Sequence, residues 1–369
     1  MRRAIELASQ GFGSVEPNPM VGAVVLDPTG AFAGEGWHQR YGGPHAEVFA
    51  LQDAGERASG GTLIVTLEPC CHFGKTPPCV DAVLAAGVSR VVIGCEDPFP
   101  KVAGGGIAAL KKAGLDVSVG LLEDECRELI TPFAHRVRTG RPWVHAKWAM
   151  SLDGKLAART GMSKWISSEP SREVVHQLRG CMDAIVVGLG TVRIDDPLLT
   201  VRPPGPKTPL RVVLDSLAQL SLDSQLVRTV SDAPLCVFCG PHAQATRIAA
   251  LRAAGADVEV LGQANPDGND PLTDPRPSIP GILDALGRRG GTHVLFEGGS
   301  AVFGALFDAN AVNEVHAFIA PMIIGGEGAL APVAGLGVDS PAAANRLRCV
   351  TVQSLGGDVY IRGRVNPRA

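Results

Sequence analysis

The sequence predicts an α/β protein of two domains, each a sheet sandwiched by helices. Three observations lead there. At 369 residues the chain exceeds one typical domain. Short apolar runs suited to buried strands alternate with helical periodicity along most of its length. A basic stretch, Arg136–Arg141, divides two such series and places the expected domains at 1–142 and 143–369.

In the first series a helix at Arg2–Ser9 leads through the turn Glu16-Pro-Asn-Pro19 into a strand, Val21–Leu26. The segment after Pro44 reads as a helix to about Gly55, and Leu63–Leu67 as a buried strand. A helix at Val80–Ala86, a strand at Arg90–Ile93 and a helix at Gly105–Ala113, stopped by Gly114, follow; Glu123–Ala134 reads as one closing helix. In the second series strands are expected at Val144–Ala149, Ala184–Val187, Arg211–Leu214, Leu235–Phe238, Val258–Leu261 and His293–Phe296. Helices at Ser171–Arg179, Ala243–Ala253, Ile282–Arg288 and Ala301–Phe307 separate several of them. Gly262–Pro280, crowded with Pro, Gly, Asn and Asp, reads as a loop.

Hydrophobic residues make up 45% and charged residues 19%, the balance of a globular protein with full cores. A net charge of −3 gives no basic footprint for nucleic acid. No apolar run approaches the roughly 20 residues that span a bilayer, and Glu6 interrupts the amphipathic N-terminus, so no membrane or secretory segment is expected. Nine cysteines without regular spacing fit a reducing cytoplasm better than a disulfide framework.

Pro44-His45-Ala46-Glu47, Glu68-Pro69-Cys70 and Pro78-Cys79 carry the strongest chemical signal. Singly, His45 is an ordinary cap or core histidine and the cysteines small buried hydrophobes. Together they offer an imidazole, two thiolates and an unligated carboxylate, and three ligands leave a fourth tetrahedral position for water. H-x-E followed by P-C-x-x-C marks zinc-dependent deaminases; here the cysteines lie further apart. Cys70 and Cys79 each follow a proline and are expected to begin helical turns, where N–H groups favour thiolate. Glu47 would move the proton from water to the departing amine. Cys71 points away from its neighbour and reads as pocket-lining or structural. Cys236 and Cys239 fall three apart on an expected strand, on opposite faces, and read as core. Lys75 and Thr76 beside Gly74 form a turn able to take phosphate, or a merely solvated loop.

Pro17-Asn-Pro-Met-Val-Gly22, Gly34-Glu-Gly-Trp-His38, Pro44-His-Ala-Glu47 and Glu68-Pro-Cys70 with Gly74-Lys-Thr-Pro-Pro-Cys79 closely resemble the deaminase half of the bifunctional riboflavin-biosynthesis deaminase–reductases. Asp97-Pro-Phe-Pro-Lys-Val102 with Gly104-Gly-Gly106 is similar to that family's next segment. The resemblance implies a cytidine-deaminase-like three-layer αβα domain. It also implies zinc held by His45, Cys70 and Cys79, Glu47 as proton shuttle, and substrate contacts from Asn18, His38, His72 and Lys75. Cys71 stands where a small hydroxyl residue is expected.

In the second half, Glu297-Gly298-Gly299 ends a strand and enters a helix, a turn that suits an anion because backbone N–H groups are accessible there. Gly188-Leu-Gly190 is followed by Arg193 where a third small residue is needed, so the dinucleotide fingerprint of a Rossmann fold is absent. Lys147-Trp-Ala-Met-Ser-Leu-Asp-Gly154, Gly161-Met-Ser-Lys-Trp-Ile166, Asp195-Asp-Pro-Leu-Leu-Thr-Val-Arg202 and Phe296-Glu-Gly-Gly-Ser300 resemble the reductase half of the same family, whose fold is similar to dihydrofolate reductase.

The resemblance implies NADPH contacts from Ala149, Trp165, Thr191, Asp195 and the run Gly299, Ser300, Ala301, Val302, Phe303, Gly304 and Ala305. It implies substrate contacts from Ser163, Arg179, Leu199, Arg202 and Glu297. Arg179 and Arg202 suit a ribose phosphate through bidentate guanidinium contacts. Lys147, expected at the start of its strand, would polarise or protonate the sugar. After Leu214-Asp215-Ser216, where the family often shows basic residues, this chain has Leu217-Ala-Gln219.

The expected function is therefore that of a cytoplasmic, homo-oligomeric bifunctional enzyme of riboflavin synthesis. It would take a pyrimidine ribose phosphate, with no nucleic-acid or membrane partner. Two alternatives stay open at this point: a zinc deaminase of free nucleosides or tRNA with an unrelated C-terminal domain, and a structural zinc module beside a ligand-binding scaffold.

Overall fold

The computed structural model describes residues 1–100, 102–262 and 276–366. Residues 263–275 of the expected Gly262–Pro280 loop, Lys101 of the segment after Asp97 and the last three residues lie outside the described residues. The chain forms two compact units, Met1–Gly140 and Arg141–Ala369.

The first unit runs α1 (Arg2–Ser9), β1 (Gly22–Leu26), β2 (Phe32–Trp37), α2 (Ala46–Ala54), β3 (Thr62–Leu67), α3 (Cys79–Ala85), β4 (Arg90–Cys95), α4 (Gly105–Lys112), β5 (Asp116–Val119), α5 (Glu123–Leu129) and α6 (Thr131–Thr139). Its sheet has the order β2-β1-β3-β4-β5, with β1 antiparallel to β2 and β3, and the β3-β4-β5 edge parallel. Val25, Leu63, Val65, Val91 and Ile93 bury one face against Ala50 of α2, Val83 of α3 and Leu110 of α4. Leu7 of α1 packs on Val24, while Cys126 of α5 packs on Leu67 and Cys95. Two helical layers therefore enclose the sheet, the αβα arrangement the sequence predicts.

β2 is absent from the sequence reading because Gly34 and Gly36 break its apolar alternation. Gly36 is needed there: a Cβ would lie 2.6 Å from the backbone nitrogen of Ala50, since α2 packs directly on this strand. The single helix expected at Glu123–Ala134 is two helices. Ile130 leaves helical geometry, and Pro132, which lacks an N–H, sits in the first turn of α6. The expected basic connector is also corrected: Arg136 and Arg138 form the last turn of α6, where cations complement the dipole, and Gly140 ends it in the left-handed region.

The second unit runs β6 (Trp143–Ser151), α7 (Glu169–Gly180), β7 (Ala184–Gly188), α8 (Leu189–Asp195), β8 (Leu210–Leu214), α9 (Gln225–Arg228), β9 (Leu235–Cys239), α10 (Ala245–Ala253), β10 (Asp257–Val260), α11 (Ile279–Arg288), β11 (His293–Gly298), α12 (Ser300–Asp308), β12 (Glu314–Ala320), β13 (Leu347–Leu355) and β14 (Asp358–Val365). The strands form one sheet, β10-β9-β8-β7-β11-β6-β12-β14-β13, parallel except for β14, which runs antiparallel to both its neighbours. Cys236 joins the core under α11 and α12, while Cys239 joins the core on the opposite face, with Leu226 and Leu251. The alternating side chains of β9 thus feed both cores, as their spacing predicts. β12 eluded the sequence reading because Glu314 and His316 interrupt its apolar run.

Candidate functional site

Two groups of chemically active side chains lie at the carboxyl ends of parallel strands, one in each unit. In the first, His45 is the N-cap of α2, which places Glu47 in the opening turn. Cys79 opens α3 behind Pro78. Cys70 does not begin a helical turn as expected; it sits in irregular chain after β3. Its sulfur instead receives the backbone N–H of Cys79 at 3.3 Å, which gives the thiolate the donor that a helix start would have provided.

His45 Nδ1 lies 3.1 Å from Cys79 Sγ and 3.6 Å from Cys70 Sγ. All three ligand atoms fall within 4.8 Å of one another, a spacing one ion can span with bonds of about 2.0–2.3 Å. Hydrogen bonding from Cys79, aided by His45, lowers the pKa of the Cys70 thiol, and that of Cys79 is pushed up in turn. Glu47 is buried beside them, and its Oε2 has no hydrogen-bond partner among the described residues. Burial pushes its carboxyl up to about 7. The donor set and the orphaned carboxylate oxygen together fit a zinc centre with an open position.

The side chains around this centre are held by a few strong anchors. Pro44 carbonyl can only accept, so His38 Nδ1, 2.9 Å away, carries the proton, and Nε2 accepts from the Asn18 amide at 3.1 Å. His38 is buried and meets the His45 ring edge-on at 4.9 Å. Asn18 and His38 are thus fixed beside the ligand set. His72 lies in the loop between the cysteines, and its buried Nδ1 has no partner among the described residues. Lys75 is exposed, with Nζ 4.0 Å above the Tyr41 ring. Cys71 is half-buried against the core beneath α2–α4.

Sequence reasoning passed over Glu68. Its buried carboxylate accepts the backbone N–H groups of Asp97 (3.2 Å), Gly104 (3.0 Å), Gly106 (2.9 Å) and Ile107 (3.0 Å). That clamp ties the Glu-Pro-Cys segment to the start of α4. Gly106 makes it possible, since a Cβ there would lie 2.0 Å from the Pro69 carbonyl oxygen. A glutamate before Pro-Cys and a glycine triplet downstream were the visible signals.

The second unit contains a cleft of about 1060 Å³. Ala149, Ser163, Trp165, Thr191, Asp195, Leu199 and Arg202 all line it, as do Lys147, Arg179 and Glu297. Lys147 lies in the middle of β6, not at its start, because the strand begins at Trp143 and runs to Ser151. Burial lowers its pKa, opposed by nearby Glu297. Glu297 engages Arg179 bidentately at 2.6 and 2.7 Å, and Arg179 also donates to the Thr200 carbonyl at 3.2 Å. The bidentate edge expected to meet phosphate is therefore taken by Glu297, while Arg202 remains exposed at the rim. Ser163 donates to Asp195 at 2.5 Å, so these two act as a pair. Arg172 covers one face of the exposed Trp165 ring at 4.6 Å.

Gly299 is the N-cap of α12, and Gly299, Ser300, Ala301, Val302 and Phe303 line the cleft. Gly304 and Ala305 are not brought to it. Gly304 abuts the backbone of Ala334 and Gly335, and Ala305 packs against the core beneath α11 and α12. The helical period turns those two positions away from the mouth of the turn.

A second convergent set, His145, Glu314 and His316, was also missed; all three are buried. Tyr360, His316, His145 and His293 form a chain of hydrogen bonds at 2.8, 3.1 and 3.1 Å across the sheet. Glu314 already accepts from Trp143 and Arg362, so this cluster is a satisfied internal network rather than an open metal site.

Residues 1–95 match the family described as the cytidine and deoxycytidylate deaminase zinc-binding region, and residues 142–361 match the RibD C-terminal domain. The riboflavin biosynthesis protein RibD of Actinobacillus pleuropneumoniae is 40% identical over 98% of this chain and 93% of its own length. That of Bacillus amyloliquefaciens is 41% identical over 98% and 94%. Among solved structures, Acinetobacter baumannii RibD superposes with a TM-score of 0.83 at 33% identity, covering 99% of this chain and 97% of that one. A Thermotoga maritima diaminohydroxyphosphoribosylaminopyrimidine deaminase/5-amino-6-(5-phosphoribosylamino)uracil reductase reaches 0.81 at 36% identity with the same coverage. With zinc-type ligands converging in one unit and a lysine–glutamate–arginine cleft in the other, this chain belongs to the RibD family of riboflavin biosynthesis proteins.

Proposed function

We propose that the chain catalyses two successive steps of riboflavin synthesis in the cytoplasm, as a homo-oligomer. The first unit hydrolyses the 2-amino group of 2,5-diamino-6-ribosylamino-4(3H)-pyrimidinone 5′-phosphate, and the second reduces the ribosyl side chain of the product to ribityl with NADPH. The observation that carries this reading is the convergence of His45, Cys70 and Cys79 beside a buried, unengaged Glu47 oxygen. Among the described residues no helix is long and apolar enough to cross a membrane.

His45, Cys70 and Cys79 would hold zinc, which supplies Lewis acidity and makes water acidic enough to lose a proton near pH 7. Glu47 takes the proton of the attacking water and returns it to the amine nitrogen. A carbon–oxygen bond forms at C2, the carbon–nitrogen bond breaks, and ammonia leaves. Asn18, held by His38, and His72, whose Nδ1 has no hydrogen-bond partner among the described residues, present hydrogen-bonding groups to the pyrimidine, while Lys75 meets the phosphate. No basic tract accompanies them, which favours a small phosphorylated pyrimidine over tRNA.

In the second unit, NADPH would, when bound in the cleft, supply hydride chemistry at the sugar C1′. Lys147 protonates the sugar oxygen released as the ring opens, and its lowered pKa makes it a better acid than an exposed lysine. Glu297 holds Arg179 and electrostatically opposes the lowering of the Lys147 pKa, Arg202 takes the ribose phosphate, Ser163 meets the substrate while paired with Asp195, and Asp195 and Thr191 face the cofactor. The turn from Gly299 to Phe303 provides backbone N–H groups for the pyrophosphate.

The test is a two-stage assay on the diaminopyrimidine phosphate. Ammonia should appear without any nicotinamide, and added NADPH should then lose its near-ultraviolet absorbance in proportion to the ammonia formed. Turnover of cytidine or of adenosine in tRNA, with none of the pyrimidine phosphate, would overturn the proposal.

A further inference from the structure

We infer that His176 is a second anchor for the 5′-phosphate of the reductase substrate, donating to it from Nε2 while its Nδ1 fixes the Arg202 peptide. This rests on the reductase reading and deepens it. It names the residue that shares with Arg202 a task from which Glu297 withdraws Arg179.

Arg172, His176 and Arg179 follow one another along α7 at spacings of four and three, which puts them on one face of the helix, and all three line the cleft. The two arginines are engaged. Arg172 lies over the Trp165 ring at 4.6 Å, and its Nη1 donates to the Ser167 carbonyl at 2.6 Å. Arg179 holds Glu297 with two nitrogens and the Thr200 carbonyl with the third. His176 stands between them, about 4.5 Å along the helix from Arg179 at roughly 1.5 Å per residue. C1′ and the 5′-phosphate are at opposite ends of the pentose. A sugar that meets Lys147 with C1′ therefore carries its phosphate away from the reacting end, toward His176 and the rim residue Arg202.

The chain that carries Arg202 is seated directly on α7. Gly180 permits the approach, since a Cβ there would lie 3.0 Å from the Cα of Gly205, and the Lys207 N–H bonds to the Gly180 carbonyl at 3.0 Å. One helical turn earlier, the Arg202 N–H reaches His176 Nδ1 at 3.3 Å. A backbone N–H can only donate, so Nδ1 accepts and the neutral ring carries its proton on Nε2. Burial, with Arg179 and Arg202 nearby, lowers the pKa of His176, against Glu297 and the Thr200 carbonyl, so the ring is neutral near pH 7. It is then a directed donor and not a further cation. Both His176 and Arg202 line the cleft. Side by side, a guanidinium that supplies charge and an imidazole N–H that supplies direction have the chemistry of a phosphomonoester receptor.

The test is NADPH-dependent reduction of the deaminated intermediate by the full-length protein, with ribose 5-phosphate and ribose as inhibitors. Asn and Gln divide the two ring nitrogens between them: the Asn oxygen stands in for Nδ1, and the Gln amide nitrogen for Nε2. His176→Asn should keep the Arg202 peptide bonded and lose the donor. KM for the intermediate should then rise, and inhibition by ribose 5-phosphate weaken, each about tenfold, with kcat within about twofold. His176→Gln should restore most of that loss, and ribose should inhibit all three proteins equally poorly. Wild-type values in His176→Asn, or a fall in kcat at unchanged KM, would overturn the inference. So would a larger loss in His176→Gln than in His176→Asn, the mark of a ring that only holds the peptide. Failure of wild type to reduce the intermediate at all would instead remove the reductase reading beneath it.

Discussion

Glu47→Gln is expected to suppress ammonia release by about 10²–10⁴-fold while leaving the reduction of deaminated intermediate unchanged. The substitution preserves shape and removes only the ability to take and return a proton. Metal content should not fall, because His45, Cys70 and Cys79 supply the ligand atoms. The reciprocal change, Glu297→Gln, should leave ammonia release intact and suppress NADPH oxidation by a similar factor. It deprives Arg179 of its bidentate partner and lets the Lys147 pKa fall further, so that less of the amine carries the proton the step needs. Steady-state assays of each step in each variant check the pair. Loss of both activities in either well-folded variant would show that the two sites are not independent.

Acid should destabilise the second unit before its carboxylates titrate. Burial holds the pKa of His145 well below the usual imidazole value, and lowers that of His316 to about 4. Both therefore stay neutral in the folded protein while their unfolded counterparts bind protons as pH falls below about 6.5. Stability from this source is complete above that pH and is lost on the way down to the folded-state values. For His316 alone the loss amounts to about 3 kcal/mol by pH 4. Groups around the pair pull in both directions: Glu314 favours protonation, whereas Arg362 and Lys147 oppose it, and Tyr360 and His293 occupy the outer ring nitrogens. Denaturant midpoints should fall between pH 7 and 5, and His316→Gln should flatten that limb by up to one proton. The wild-type minus variant difference removes contributions from Glu47, whose raised value acts with opposite sign. A limb of equal slope in both proteins would contradict this role for His316.

Most of the site was legible because its chemistry is local in sequence. His45 and Glu47 sit two apart on one helix start, and Cys79 follows the proline that opens α3. What escaped depends on partners distant in the chain. Glu68 works through amides some 30 to 40 residues away, at the opening of α4. The histidine row joins β6, β11 and β12, so each imidazole alone looked like an interruption of a strand. Strands β1, β3, β4 and β6–β11 announced themselves as apolar runs; β2, glycine-rich for close packing, β12, polar for its internal network, and the edge strands β5 and β13 with β14, none of which carries a continuous buried run, did not. The Arg179–Glu297 pair belongs to the same class. Both residues were expected near substrate, and only their juxtaposition reveals that the guanidinium already has a carboxylate.

The most direct measurement is elemental analysis of purified full-length protein, paired with ammonia release before and after chelation. A metal centre built from His45, Cys70 and Cys79 predicts a single zinc ion per chain, loss of zinc and deamination together in Cys79→Ser, and recovery of wild-type activity when zinc is restored. Undiminished ammonia release from metal-free protein would contradict it.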